Sequence, residues 1–426
     1  MVNSIAPLTI CPTLIGREKQ LTTLQQRISR AKGSEGGLTL ISGEAGIGKS
    51  RLVAEAKAYA TTRGFLLLQG NCFLTDLTCP YAPLLDLWRT FFAHPSAGIS
   101  SVDIEKFACD LFPLLPELVS DPILPFSSGD PEQEKRRLFA VMTNFVLRLA
   151  RQQPVLMIVE DLHWSDETSL DFLHVLARRS VSERLFLLVT YRDDEAHQSL
   201  RKWLAQLDRE RLAQEIRLMS LAHNEVDAML SAIFEQQHTA IDMRRFLHSE
   251  LLDSIYMLTE GNPFFVEEIL TSLMTAGTIF YVHGYWNRST LREIHIPRSV
   301  QDAVQQRMEH LSHEARYTLT LAAVAGRRFD FVLLQQLTQL DEVQLLVHMK
   351  ELLSAQLVSE ESAEQFTFRH ALTREAIYKG LLARERLNLH RTIANTLEHI
   401  HADQFDSHLG DLASHFYQGE IWQKVV

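Results

Sequence analysis

A doubly wound parallel α/β sheet is the fold class that this 426-residue sequence predicts, on two observations. The first is "GEAGIGKS", Gly43–Ser50, which follows a short apolar run and leads into a helix-forming stretch. Its G-x-x-x-x-G-K-[ST] spacing is that of a loop whose backbone N–H groups wrap a phosphate chain. The second is the alternation of other short apolar runs with helical stretches, the pattern of parallel strands joined by crossover helices.

The elements follow in order. Leu38–Ser42 (LTLIS) reads as a buried parallel strand before the loop, and Lys49–Thr62 as the helix after it. Phe65–Gly70, Val155–Glu160 and Leu185–Tyr191 are the next three strands, with Ile216–Ser220 a fifth candidate. Residues 80–152 read as helical, broken at Pro113, Pro116, Pro122, Pro125 and Pro131. Beyond residue 220 the strand signal fades. Leu221–Ala276 is amphipathic helix interrupted at Gly261-Asn262-Pro263, and residues 279–295 have hairpin character around Gly284. Short helices and then two strands around a polar turn, LVSEESAEQFTFRH, suggest a winged helix. In the tail, Leu389, Ile393, Leu397 and Ile400 share one helix face, and Leu409, Leu412, Ala413 and Phe416 form a second stripe.

The expected organisation is an N-terminal linker over 1–37, a P-loop NTPase domain over 38–220 and a helical lid over 221–295. A winged helix over 296–385 and the start of a TPR-like helical array over 386–426 complete it. Such an array needs about three repeats to be stable, so a longer parent protein is expected.

The net charge of −11 argues against a chain that coats nucleic acid or an anionic membrane, where clustered Lys and Arg supply affinity. Cys11, Cys72, Cys79 and Cys109 show no C-x-x-C pairing and no zinc spacing, and read as reduced thiols of a cytoplasmic protein. The N-terminus lacks the pattern of a signal peptide, and no apolar run reaches membrane-spanning length.

The chemistry begins at the loop. Gly43, Gly46 and Gly48 allow a tight curl that brings the N–H groups of Glu44, Ala45, Ile47 and their neighbours, through Arg51, to phosphate oxygens. The helix that follows presents its positive end to the same oxygens. Lys49 is expected at the β- and γ-phosphates and Ser50 at Mg²⁺.

"LMIVEDLHWSD", Leu156–Asp166, ends an apolar strand in two acids, at the edge where open α/β sheets place ligands. Glu160 is expected to bind Mg²⁺ and Asp161 to polarise an attacking water. The competing reading is an acid pair that merely ends a strand. Asp166 is expected to cap the next helix, and His163 and Trp164 read as packing as readily as chemistry. In "LLVTYRDD", Thr190 and Arg192 lie at the same sheet edge, placed to sense a γ-phosphate; the alternative for Arg192 is a surface pair with Asp193 or Asp194.

The motifs "LIGREKQL" (14–21), "GEAGIGKS", "VEDLHWSD", "VTYRD", "GNPFFVEE" and "FRHALTREAIY" (368–378), in this order, resemble the STAND class of P-loop ATPases. More narrowly they resemble the ATPase core of large ATP-binding, LuxR-type, MalT-like bacterial regulators, over nearly the whole chain. The resemblance implies that Gly16, Arg17 and Glu18 lie near adenine and ribose, and that Arg192 is the sensor arginine. It further implies that Pro263 packs on the base and that His370 touches the β-phosphate of ADP. Glu160 departs from the class, where Asp is usual.

The resemblance implies an ATP/ADP-dependent, slowly hydrolysing signalling switch that acts on transcription through an output domain outside this chain. An effector ligand or protein is expected to act through the C-terminal array, with ATP-dependent self-association as a further expectation and no direct nucleic-acid or membrane contact. The alternative is an AAA-type motor or DNA-remodelling ATPase, for which Arg178 or Arg179 would be the arginine donated to a neighbour's nucleotide; these residues equally well complement a helix C-terminus. A phosphotransferase is the third reading.

Overall fold

The structure, a computed structural model, describes residues 10–73, 79–93, 107, 130–235, 249–282, 285–288, 296–400 and 405–421. Cys109, Pro113, Pro116, Pro122, Pro125 and Gly284 lie outside the described residues. The chain divides into two compact units, Leu14–Met219 on one hand and Met1–Thr13 with Ser220–Val426 on the other.

In the unit Leu14–Met219, strands β1 (Gly37–Ser42), β2 (Leu66–Asn71), β3 (Val155–Glu160), β4 (Leu185–Tyr191) and β5 (Ala213–Arg217) form one sheet in the order β2-β3-β4-β1-β5. All four pairings are parallel. The sheet is covered on both faces, and the two cores divide each strand by alternation. Val155, Met157 and Val159 join the Trp88, Phe145 and Phe172 side, while Leu156 and Ile158 join the side of Ile41, Leu52 and Val53. Each such side chain contributes about 1.5–3 kcal/mol by leaving water, which is why these strands are continuous apolar runs. This is the α/β fold of P-loop NTPases, as the sequence predicts.

Two elements differ from the expectation. Residues Glu18–Lys32, placed in a linker, form a helix that buries Leu24, Ile28 and Ala31 in the second of those cores. The fifth strand is Ala213–Arg217 rather than Ile216–Ser220. It is an edge strand paired only with β1, and Ile216 alone along it is buried.

In the second unit, helices His223–Glu235, Ser249–Thr259 and Pro263–Thr275 precede an antiparallel hairpin of strands β6 (Ile279–Val282) and β7 (Tyr285–Arg288). The Gly-Asn-Pro break is built from its residues. Gly261 has φ +75°, and a Cβ there would collide with the Leu221 carbonyl. The Asn262 side chain accepts from the Phe264 N–H at 3.2 Å, and Pro263 starts the next helix, where its missing N–H costs nothing.

Farther along, helix His313–Ala325, strand β8 (Arg328–Asp330), helices Phe331–Thr338 and Glu342–Ser354, and strands β9 (Val358–Glu360) and β10 (Gln365–Phe368) follow one another. The strands form an antiparallel sheet in the order β8-β10-β9, closed over a core that includes Leu319, Leu345, Phe329 and Phe368. β8 is absent from the sequence expectation. Helices Ala371–Gly380, Ala383–Ile400 and Phe405–Gln418 end the described chain, and Ile393, Leu397, Leu412 and Phe416 are buried together with Val324 and Leu333.

A histidine pair lies between the last two helices. His390 Nδ1 is 2.8 Å from His415 Nδ1, and His390 Nε2 is 2.9 Å from the Tyr378 hydroxyl. Burial first, then His415, Arg374 and Arg386, push the His390 imidazole from 6.5 down to about 4. Between those values the unfolded chain binds the proton and the folded chain does not, so stability is full above pH 6.5 and falls as pH drops toward 4. The thermal midpoint, followed by circular dichroism, is expected to fall across that window and to fall less steeply in His390→Gln. Equal slopes would place the loss at other groups.

Candidate functional site

The loop Gly43–Gly48 leaves the C-terminal end of β1 and enters helix Lys49–Thr62. Gly43 has φ +146°, and a Cβ there would lie 2.8 Å from the Leu218 carbonyl oxygen, so only glycine lets the chain turn under the residues after β5. Gly46 and Gly48 also have positive φ. Lys49 is buried, and its Nζ donates to the carbonyls of Gly43 and Glu44, both at 2.8 Å. The loop is thus cinched around its own lysine. Ala45 stands beside these carbonyls in the turn, and the Ile47 side chain is buried beneath it. Arg51 pairs with Glu55 on the helix surface at 3.6 Å, a contact worth little.

The loop is braced from behind. Arg17, just after Gly16 (φ +69°), is buried, and its Nη2 donates to the carbonyl oxygens of Ile47 at 3.3 Å and Met219 at 2.6 Å. The guanidinium is therefore engaged by one carbonyl of the phosphate loop and one of the segment after β5.

β4 separates β1 from β3, so the acid pair faces the loop across the tip of β4. Glu160 ends β3. Its carboxylate accepts from the Ser50 hydroxyl and from Gln69 Nε2 at 3.1 Å, and Lys57 Nζ holds Gln69 Oε1 at 2.7 Å. Burial raises the Glu160 pKa, with Asp161 adding to the rise and Ser50, Lys57 and Gln69 opposing it. Asp161 has φ +58°, a left-handed conformation uncommon outside glycine. Its N–H donates to Thr190 Oγ1 at 3.0 Å, which fixes that turn from the neighbouring strand. Burial raises the Asp161 pKa and Glu195 adds to it, while Arg192 and Lys49 oppose. Lys49 is lowered by burial, then by Arg192, with Asp161, Asp194 and Glu195 opposing. Lys49, Asp161 and Arg192 thus feel one another's charge.

Arg192 does not pair with Asp193 or Asp194. Its Nη1 donates to Glu195 Oε1 at 2.7 Å, its Cζ lies 5.2 Å from the centre of the Trp164 ring, and Asp193 pairs with Arg217 at 2.8 Å. The Arg192 Nε is buried and has no hydrogen-bond acceptor among the described residues. His163 is buried and accepts from the Arg192 backbone N–H at Nδ1, 3.4 Å away. Burial first, then Arg192, Lys49 and His197, drive its pKa from 6.5 to about 3, so it is neutral at pH 7. Asp166 caps the next helix through the Ser169 N–H at 2.9 Å, as expected.

On its other side the tip of β4 reaches β5. Tyr191 OH donates to Glu215 Oε1 at 2.7 Å, and Ser42 Oγ donates to the same oxygen at 2.5 Å. Sequence reasoning missed Gln69, Lys57, Glu195 and Glu215. Three of them, Gln69, Lys57 and Glu215, sit on strands or helices whose adjacency only the folded sheet reveals. Glu195 carried a local signal, an acid three residues after an arginine.

Ser50 and Glu160 bring two hard oxygens together at the start of a helix. That donor set suits Mg²⁺, which takes one or two protein oxygens and completes its shell with phosphates and water. Among the described residues no group of three or more His, Cys, Asp and Glu side chains gathers as a metal site.

Pro263 and His370 belong to the second unit. There His370 precedes helix Ala371–Gly380, with its ring 5.4 Å from that of Phe265 in the Gly-Asn-Pro helix. Glu260, just before that break, accepts from the Ala371 N–H at 2.9 Å and pairs with Arg327 at 2.7 Å. Burial, Arg369, Arg307 and Arg327 push His370 down to about 4.

Comparison with known proteins agrees with this geometry. A Rhizobium meliloti (strain 1021) protein described only as uncharacterized is 25% identical over 434 residues, covering 97% of this chain. The chain spans 40% of that relative's length. The Aeropyrum pernix ORC2 protein, solved as ADPNP–ADP complexes, is 16% identical with a TM-score of 0.56, over 92% of this chain and 97% of that one. A Walker-type ATPase of Pyrococcus abyssi is 16% identical with a TM-score of 0.50, over 88% of this chain and 99% of that one. At these identities the two structures support the fold alone. Among the described residues no helix is long and apolar enough to cross a membrane. Residues 13–190, which carry the loop, the acid pair and the β4 tip as far as Thr190, match the family described as AAA ATPase domain.

Proposed function

We propose that the chain is the ATP-binding core of a signalling switch that hydrolyses ATP slowly. The observation that carries the ATPase part is the convergence of Lys49, Asp161 and Arg192, three buried or half-buried charges on three separate elements at one sheet edge. Lys49 would hold the β- and γ-phosphates and Arg192 the γ-phosphate. Asp161 would accept the proton of the attacking water. Ser50 and Glu160 would hold Mg²⁺, whose role is to neutralise phosphate charge.

The switch part rests on the second unit. Helix, short strand, two helices and an antiparallel strand pair, with sheet order β8-β10-β9, support a winged-helix reading of residues 296–385. Glu260 and the Phe265–His370 contact join the Gly-Asn-Pro turn to the head of the helix after that sheet. Pro263 and His370 are proposed as the residues through which this unit reads the nucleotide, as the resemblance implies. Arg17 is proposed to support the phosphate loop and Gly16 to let the chain turn there. A role in transcription, with an effector acting through helices 383–400 and 405–418, extends the same reading, and cytoplasmic placement accords with it.

Two features weigh against a DNA-remodelling motor. Arg178 is held by Glu210 at 2.7 and 2.6 Å, and that contact keeps the Glu210 carboxyl at about 2. The exposed positions of helix Glu342–Ser354 include Glu342, Val343, Leu346 and Val347 and only Lys350 as a base, which is not a DNA-reading face.

His370→Ala tests the switch. One charge-assisted hydrogen bond is worth about 1.5–3 kcal/mol, so ADP is expected to bind roughly 10- to 150-fold more weakly, with ATP affected less. The protein should also purify with less ADP. Equal ADP dissociation rates and equal retained ADP/ATP ratios in wild type and mutant would remove the role.

A further inference from the structure

We propose that Glu195 is a positioning residue that holds the Arg192 guanidinium in place for the γ-phosphate and keeps it off Asp161. The inference rests on the reading of Arg192 given above.

Two carboxylates compete for Arg192. Asp161 feels its charge directly, and a cation that closed onto Asp161 would neutralise the group assigned to the water and lose its own reach. Glu195 lies three residues on, in the same turn, and takes Nη1 at 2.7 Å. A charge-assisted bond of this length is among the stronger contacts a half-buried arginine can make.

Glu195 also lies against the next turn. Its Oε2 is 3.4 Å from His163 Nε2, a close approach without hydrogen-bond geometry, since that buried nitrogen has no hydrogen-bond partner among the described residues. His163 Nδ1 accepts from the Arg192 backbone N–H, which ties the ring to the same turn as Arg192. The Trp164 ring, 5.2 Å away, backs the guanidinium. Arg192 is therefore gripped at its backbone, at one Nη and at its face, by residues of two turns that both leave the sheet at the same edge. A single surface salt bridge would have none of the other two grips.

The reaction needs this placement because an arginine helps only where charge develops, and a shift of about 1 Å in a catalytic group costs up to about 10²-fold. Nothing is transferred to Glu195 in this role.

The test compares wild type with Arg192→Ala, Glu195→Ala, Glu195→Gln and the Arg192→Ala/Glu195→Ala double variant, measuring kcat and KM for ATP and the Kd of ADP. Glu195→Ala is expected to lower kcat by about 10²-fold with ADP affinity unchanged. Glu195→Gln, which keeps an acceptor oxygen, should recover to within about 10-fold of wild type. The double variant should be no slower than Arg192→Ala, because both act through one guanidinium. Wild-type kcat in Glu195→Ala, or losses that multiply in the double variant, would overturn the inference. Should Glu195→Ala not fold, Glu195→Met, of similar length and without an acceptor, carries the same expectation. If Arg192→Ala is impaired and Glu195→Ala is not, this inference alone fails. If Arg192→Ala hydrolyses ATP normally, the sensor reading fails and takes this one with it.

Discussion

Lys49→Ala is expected to abolish ATP binding. The ammonium is the positive side chain set inside the loop, and its contact with phosphate is worth about 1.5–3 kcal/mol. A second loss adds to the first. Lys49 also ties the carbonyls of Gly43 and Glu44 together at 2.8 Å each, and without it those oxygens turn their negative ends toward incoming phosphate. The methyl group left behind satisfies neither. Binding should therefore leave the range of a fluorescent-nucleotide titration, while the circular dichroism spectrum stays as in wild type, since Lys49 contributes no side chain to either sheet core. Unchanged affinity would mean that this loop is not a phosphate site.

Asp161→Asn should bind ATP normally and hydrolyse it about 10²–10⁴-fold more slowly. The substitution suits the site because asparagine tolerates the left-handed backbone that Asp161 adopts, at φ +58°. The backbone N–H to Thr190 remains, so the turn keeps its shape. What disappears is a carboxylate able to take a proton from water. Phosphate release, measured beside the titration, separates binding from turnover. Normal turnover would move the water-activating role to Glu160, the other acid at the edge. Glu160→Gln should instead change the Mg²⁺ dependence, because its carboxylate meets the Ser50 hydroxyl.

How far the sequence carried the description depended on what each residue's signal was made of. β1, β3 and β4 are buried on both faces and β2 alternates buried with half-buried residues, so their apolar runs mark them to within a residue. β5 pairs on one side only, and its Gln214, Glu215 and Arg217 face water. Its apolar signal slides toward Leu218, which is buried after the strand has ended. β8 is three residues long, too short for any period to show. The phosphate loop and acid pair were legible because their spacing is local. The bond from Thr190 to Asp161 and the chain Lys57–Gln69–Glu160 were not, since β3 and β4, or β2 and β3, become neighbours only through pairing across the sheet. Helix Glu18–Lys32 was hidden by its polar composition, with three buried residues in a run otherwise exposed or half-buried.

The tip of β4 works as a yoke. Thr190 fastens it to the acid turn on one flank, and Tyr191, through Glu215, ties it to Ser42 at the base of the phosphate loop on the other. Arg192 extends from the same rod toward the place where the terminal phosphate is expected. Because β4 is buried and paired on both sides, this tip is a rigid reference for the acid, the loop and the arginine alike. A substitution that loosens it would disturb all three at once, rather than one contact at a time.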